Sequence, residues 1–276
     1  MDTCSLLIAT YNWSPALDLC LKSVAQQKLL PDEVIIADDG SKKDTRDLIA
    51  VFQQSFPIPL KHVWQEDEGF QLSRIRNKAI AASGFDYIIQ IDGDLILHPY
   101  FIKDHMKLKK KKHFTTGSRV LLSPLTTQRL LLHRSLDVAL YSKGNRNFFN
   151  GLRSKWVRAF LAPRYKTGSK HRYYVKGCNM AFWKKDLVAV NGYNESFLGW
   201  GREDSELAIR LINAGVKKQF LKMGGICYHL FHAEASRDLE LRNRQMMDDA
   251  ITNKMTWTEK GLNQYLETDA IPAAKY

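Results

Sequence analysis

Hydrophobic and polar positions follow two alternating rhythms along the first hundred residues. Ser5–Ala9, Glu33–Ala37, Leu60–Val63 and Tyr87–Ile91 read as strands; Tyr87–Ile91 is an apolar run too short for a helix and dominated by β-branched residues. Between them, Pro15–Gln27, Asp44–Phe52 and Leu72–Ala82 carry apolar residues at helical spacing. Ser14 reads as an N-cap with Pro15 at the first helical position. Strands separated by helices predict a mostly parallel sheet with right-handed crossovers. From about Leu121 to Lys170 the alternation breaks, and helices are expected at Pro124–Tyr141 and Asn147–Leu161. In the second, Phe149, Leu152, Trp156 and Phe160 recur at helical intervals with Arg146, Arg153, Lys155 and Arg158 between them, a basic amphipathic pattern suited to a lipid headgroup region or to a helix with a solvated back. A further helix opens around Glu203 and runs to about Ala214.

At 276 residues the chain can bury one large core carrying an elaborated insert. Its net charge of +12 is local in origin: Tyr100 to Lys176 holds 19 Lys and Arg against two acids, a block of +17 on a remainder of −5. Such a block implies an anionic partner, whether membrane phospholipid, a phosphorylated carrier or nucleic acid. No apolar run approaches bilayer length, and the N-terminus reads as a strand rather than a signal peptide. Cys4, Cys20, Cys178 and Cys227 are scattered, which fits reduced thiols in a cytoplasmic protein better than disulfides or a zinc site. With neither Gly-x-Gly-x-x-Gly nor a Gly-Lys-Ser/Thr loop, dinucleotide oxidoreductases and P-loop enzymes are disfavoured.

Three strand ends deliver polar groups: Thr10-Tyr11-Asn12, Asp38-Asp39-Gly40-Ser41 and Asp92-Gly93-Asp94. Open α/β sheets bind ligands at that edge, and the convergence describes a nucleotide pocket. Asp92 and Asp94, expected to point to one side, suit Mg²⁺ or Mn²⁺ shared with a diphosphate; the other reading is plain turn chemistry. Gly199 and Gly201 around Trp200 suggest a mobile aromatic loop covering a sugar ring. Glu203, Asp204 and Glu206 after it also suit a helix N-terminus. His229 and His232 close a late apolar stretch.

The ordered set Ala9-Thr10-Tyr11-Asn12, Ala37-Asp38-Asp39-Gly40-Ser41, Ser73-Arg74-Ile75-Arg76-Asn77, Asp92-Gly93-Asp94 and Gly199-Trp200-Gly201-Arg202-Glu203-Asp204 resembles the family 2 inverting glycosyltransferases of the GT-A fold. The last segment is similar to the Trp-Gly-x-Glu-Asp signature of β-1,4-galactosyltransferases, with a related one in bacterial chondroitin-polymerase-type domains. The resemblance covers about residues 3–120 and 175–232. It implies an α/β GT-A domain, Rossmann-like, with a mostly parallel central sheet flanked by helices. Residues 1–120 would form the nucleotide-sugar half, 121–174 a basic helical insert, 175–232 the acceptor and catalytic half, and 233–276 a helical tail.

The resemblance further implies that Asp39, with Asp38 the second candidate, accepts from the base or ribose of a UDP-sugar. Thr10 and Tyr11 would line the uracil slot, with Asn12 and Gly93 beside them. Arg76, with Arg74 second, would face the diphosphate or the aspartates. Asp92 would sit near ribose or metal and Asp94 would ligate Mn²⁺ or Mg²⁺, with His229, or second His232, completing the shell. Asp204 is the implied base, Glu203 the holder of a sugar hydroxyl, and Trp200 a stacking platform. Arg202 departs from the galactosyltransferases, which have a small residue there. The expected protein is a metal-dependent transferase moving a hexose or N-acetylhexosamine onto a growing cell-surface glycan. It is expected to be cytoplasmic and peripheral on the inner membrane face, its insert holding a lipid-linked or anionic acceptor. Nucleic acid is not an expected partner, since no reading motif is present and the acids would have no use. Two rivals are a nucleotide-sugar-binding protein without transferase activity, in which Asp92, Asp94, Asp204 and His229 would have decayed, and a nucleotidyltransferase, which leaves the Gly-Trp-Gly loop unexplained.

Overall fold

The computed structural model describes residues 3–168, 171–233 and 236–266. Residues 169–170 of the basic stretch and 267–276 of the tail therefore lie outside it. The strands are β1 (Ser5–Thr10), β2 (Glu33–Asp38), β3 (Leu60–Trp64), β4 (Tyr87–Asp92), β5 (Leu95–Leu97), β6 (His113–Gly117), β7 (Val120–Leu121), β8 (Asn179–Trp183), β9 (Lys217–Leu221) and β10 (Cys227–His229). The helices are α1 (Ser14–Ala25), α2 (Lys43–Ser55), α3 (Leu72–Ala81), α4 (Phe101–Leu108), α5 (Pro124–His133), α6 (Lys155–Leu161), α7 (Lys184–Ala189), α8 (Glu203–Asn213) and α9 (Glu240–Thr252).

Seven strands form one sheet in the order β3-β2-β1-β4-β8-β6-β9, in which β8 alone runs against its neighbours. All of β1 and β2 is buried, because helices cover both faces; this is why these strands read as apolar runs rather than alternating patterns. On one face Leu17, Leu21, Val24, Ile49 and Phe101 from α1, α2 and α4 pack on the sheet. On the other, Ile75, Ala79, Leu187, Leu207 and Leu211 from α3, α7 and α8 do so. A second sheet of order β5-β10-β7 lies over a smaller cluster that includes Ile96, Val120 and Leu230. Strand order reverses between β1 and β4, the switch point where such sheets leave a crevice.

The first-half elements agree with the sequence pattern to within a few residues, but the middle does not. The helix expected to reach Tyr141 stops at His133, where Arg134 turns into the left-handed region (φ +46°). The helix expected at Asn147–Leu161 is a 3₁₀ turn at Phe148–Gly151 followed by α6. Nor do all its cations face outward: Arg153 and Arg158 both donate to buried Asp104 of α4. The aromatic residues face outward instead, with Trp156 88% exposed. Ser14 is the first residue of α1 rather than its cap, and its hydroxyl donates to Asp44 Oδ2 at 2.9 Å. All four cysteines are free and buried. Among the described residues no helix is long and apolar enough to cross a membrane.

Candidate active site

Strand register builds the site. Pairing of β1 with β2 sets Thr10 beside Asp38, and pairing with β4 sets Ala9 beside Asp92, so the three polar strand ends lie together. Backbone bonds tie them: Asp39 N donates to Thr10 O at 3.0 Å and Gly93 N to Ala9 O at 2.7 Å. Asn12, at φ +45°, accepts from Lys42 N through Oδ1 at 2.8 Å and donates its own N–H to Ser41 Oγ at 2.9 Å. Asp38 is fully buried and engages both oxygens, one with Ser41 N of this turn at 2.8 Å and the other with His62 Nε2 of β3 at 2.9 Å. Asp39 accepts from Gln65 Nε2 at 2.6 Å and Gln71 N at 2.9 Å. Burial outweighs both bonds and pushes its carboxyl up to about 6. Tyr11 is half exposed, its hydroxyl donating to Asp67 Oδ2 at 2.9 Å.

Asp92 and Asp94, expected on one side, diverge. β4 ends at Asp92, and the turn through Gly93 and Asp94 breaks the two-residue strand period. Asp92 Oδ1 accepts from Arg76 NH2 at 3.1 Å. Asp94 Oδ2 lies 3.2 Å from His229 Nε2 and 3.1 Å from His232 Nε2. The β10–β5 pairing places His229 opposite Leu95 and so delivers it to Asp94 across a long stretch of sequence. Donor atoms of Asp94, His229 and His232 all lie within 4.8 Å of one another, and Asp92 stays outside that group. Burial lowers His229 to about 4, leaving a neutral ring with a lone pair to offer. His232 is raised to about 9, chiefly by its hydrogen bond to Asp94. Asp94 Oδ1 is buried without a protein partner, as an oxygen reserved for an ion would be. A carboxylate with two imidazoles suits a first-row transition ion such as Mn²⁺ better than Mg²⁺, which prefers an all-oxygen shell.

Arg76 of α3, 1% exposed, joins the two halves of the site. It donates from NH1 to Asp204 Oδ1 at 2.9 Å and from NH2 to Asp92, lies 3.7 Å from Glu203 Oε1, and stacks 5.2 Å from the Tyr193 ring centroid. Of its two expected partners, the aspartates are in contact with it here. Arg74 is on the surface with Glu68. The Tyr193 hydroxyl, 3.0 Å from Gln90 Oε1, also reaches Asp204 Oδ1 at 3.1 Å. The other oxygen, Asp204 Oδ2, lies against Gly177, where a Cβ would be 1.8 Å away; any larger residue there displaces the carboxylate. Glu203 is more deeply buried. Burial, then the charge of Asp204, raises its carboxyl to about 8.

The aromatic loop is anchored rather than free. Asn243 of α9 donates from Nδ2 to Leu198 O and Gly201 O, each at 3.1 Å, and Arg202 pairs with Glu240 at 3.2 Å. Arg202 sits at φ +76°, a backbone that favours glycine, at the position where the sequence departs from the small residue of the galactosyltransferases. Trp200 remains 41% exposed with Arg237 over its ring. Sequence reading missed Gly177, Tyr193, Gln90 and Asn243, and also Arg119. Arg119 donates to Cys178 Sγ at 3.0 Å, and its charge bears on both Asp92 and Asp94.

A family model described as "Glycosyl transferase family 2" matches residues 5–180, running through the basic stretch that had been set outside the resemblance. A second, "N-terminal domain of galactosyltransferase", matches residues 158–233. Chondroitin synthase of Escherichia coli is 27% identical over 246 residues, covering 83% of this chain and 35% of its own length. Chondroitin synthase of Pasteurella multocida is 30% identical over 247 residues, covering 82% and 24%. The chain thus spans only about a quarter to a third of these relatives. Among solved structures, S. aureus TarS 1-349 in complex with UDP superposes with a TM-score of 0.62 at 14% identity over 95% of this chain and 68% of that one. The mannosyltransferase PcManGT from Pyrobaculum calidifontis in complex with GDP-Man and Mn²⁺ does so at 0.60 and 17%, over 88% and 61%. At such identities the likeness establishes the GT-A fold.

Proposed function

The chain belongs to glycosyl transferase family 2, and from that premise we propose that it moves a hexose or N-acetylhexosamine from a UDP-sugar to a hydroxyl of a growing glycan, with inversion at the anomeric carbon. The observation that carries this reading is the posture of Asp204. Arg76 and Tyr193 fix one carboxylate oxygen, and the other is turned to the Gly177 side for an incoming hydroxyl. Asp204 takes the acceptor proton as that oxygen attacks the anomeric carbon opposite the departing UDP. Glu203, holding its own proton, donates a hydrogen bond to a sugar hydroxyl, and Trp200 offers a ring to the sugar face. Asp94, His229 and His232 would hold Mn²⁺, which when bound offsets the charge on the leaving diphosphate. Arg119 adds positive potential at the same corner.

Calorimetry with a panel of UDP- and GDP-sugars, in Mn²⁺ and in EDTA, tests the donor assignment. One UDP-sugar should bind in a Mn²⁺-dependent manner, and Asp94→Ala should remove that dependence. Binding of GDP-sugars alone would reassign the donor, and binding of neither would sink the mechanism. Asp39 supplies a pH signature. Uridine, which has no phosphate to titrate, should bind well above pH 6 and weaken below it, as the Asp39 carboxylate takes up a proton and stops accepting. Asp39→Asn should flatten that profile; an unchanged step would assign it to another group.

A further inference from the structure

Lys166, Lys176, Lys218 and Lys222 converge where the end of the basic stretch folds over β9. Lys166 Nζ lies 4.3 Å from the Tyr174 ring centroid and 5.4 Å from that of Tyr165. Lys176 Nζ is 5.2 Å from Tyr174, and Lys222 Nζ is 5.5 Å from Tyr165. Lys218 is buried, its ammonium donating to the carbonyls of His171 and of Tyr174, the latter at 3.0 Å. Lys222 donates to Asn150 Oδ1. Every acceptor in the cluster is neutral, and among the described residues none of the four lysines has a carboxylate partner. Burial, and next the charge of Lys166, lowers Lys218 to about 8 and lowers Lys222 as well. The tyrosine faces attract these cations but carry no net charge, so the gathered ammonium groups leave a positive pocket that an anion would balance.

The position of the cluster tells what that anion belongs to. Tyr174 and Lys176 lead directly into Gly177, the residue against which Asp204 Oδ2 rests. Adjacent Cα atoms are about 3.8 Å apart, so the cluster begins one residue from the glycine on which Asp204 rests. An acceptor presenting a hydroxyl to Asp204 would carry its neighbouring sugars past these ammonium groups.

Resting on the transferase reading above, we propose that Lys166, Lys176 and Lys222, set around Tyr165 and Tyr174, form an acceptor subsite for a sugar bearing a carboxylate or phosphate. Lys218 acts as a positioning residue, fixing the 171–174 backbone that presents them. The acceptor is thereby an acidic glycan.

The test is calorimetric binding, at physiological salt, of a tetrasaccharide alternating N-acetylhexosamine and glucuronic acid. Its carboxyl-reduced neutral form, a phosphorylated tetrasaccharide, and vesicles of phosphatidylglycerol and phosphatidylcholine are measured beside it. Proteins are the wild type, the K166Q/K176Q double variant, and K110Q/K111Q, which removes the same charge from exposed lysines elsewhere. At least one charged tetrasaccharide should bind about tenfold tighter than the neutral form. K166Q/K176Q should lose that preference, while K110Q/K111Q keeps it. Carboxylate or phosphate preference names the anion. Equal binding of charged and neutral forms, no tetrasaccharide binding, or equal loss in both variants overturns the subsite. A K166Q/K176Q defect seen on vesicles alone overturns it in favour of a membrane contact. UDP binding in Mn²⁺, measured on the same samples, reports separately on the transferase reading.

Discussion

Asp204→Asn should lower kcat by about 10²- to 10⁴-fold, the range a positioned general base contributes, and leave the affinity for the UDP-sugar unchanged. The substitution is nearly isosteric. An asparagine Oδ1 can still accept from Arg76 NH1 and from the Tyr193 hydroxyl, now 2.9 and 3.1 Å from the carboxylate. The fold therefore persists, and what disappears is a basic oxygen on the Gly177 side. Glu203 offers the internal control. It is buried, keeps its proton at neutral pH, and an amide reproduces that protonated acid's shape and donor, so Glu203→Gln should retain activity to within about tenfold. Steady-state kinetics with a saturating donor would distinguish the pair. A larger loss from Glu203→Gln than from Asp204→Asn would exchange their roles.

The sequence reveals the two ends of this argument and hides the middle. Strand-terminal aspartates and the Gly-Trp-Gly-x-Glu-Asp loop are visible because their chemistry is local: an apolar run that stops at an acid is a property of adjacent residues. The divergence of Asp92 and Asp94 is set by where β4 stops pairing, and it surfaces only in the structure. His229 meets Asp94 through an antiparallel pairing of two three-residue strands, too short to leave a periodic pattern. β8 was equally invisible, since Asn179–Trp183 follows a long insert and joins the middle of the sheet rather than its edge. The insert misled for a different reason. The helical spacing of Phe149, Trp156 and Phe160 suggested one continuous apolar face. Instead Arg153 and Arg158 turn inward to neutralise Asp104, and the helix that delivers Arg158 begins only at Lys155. A buried carboxylate paired by two guanidiniums outranks the surface preference of arginine, and Asp104 lies 49 residues before Arg153, beyond any local pattern.

Arg76→Met should cost the fold about 3 kcal/mol near neutral pH, the lower end of what breaking a buried ion pair removes. The lower end applies because Arg76 is 1% exposed while the side chains of Asp92 and Asp204 are 32% and 19% exposed, and water can re-enter around them. Methionine keeps the stem against Tyr193, so the loss isolates charge rather than volume. The pH dependence follows from Asp92. Burial already raises its folded pKa above the ordinary aspartate value, with Arg76 opposing. Without Arg76 it climbs further, while the unfolded value stays near about 3.9. A carboxylate whose folded pKa is raised holds a proton that the unfolded chain has released. The variant therefore loses stability as pH rises from about 4 through the folded pKa. Urea denaturation at acid and at neutral pH should show the gap to wild type narrow in acid, where Asp92 is protonated, and widen toward neutrality. A gap independent of pH would mean that Arg76 supports the fold by packing on Tyr193, and the electrostatic link between β4 and α8 would have to be abandoned.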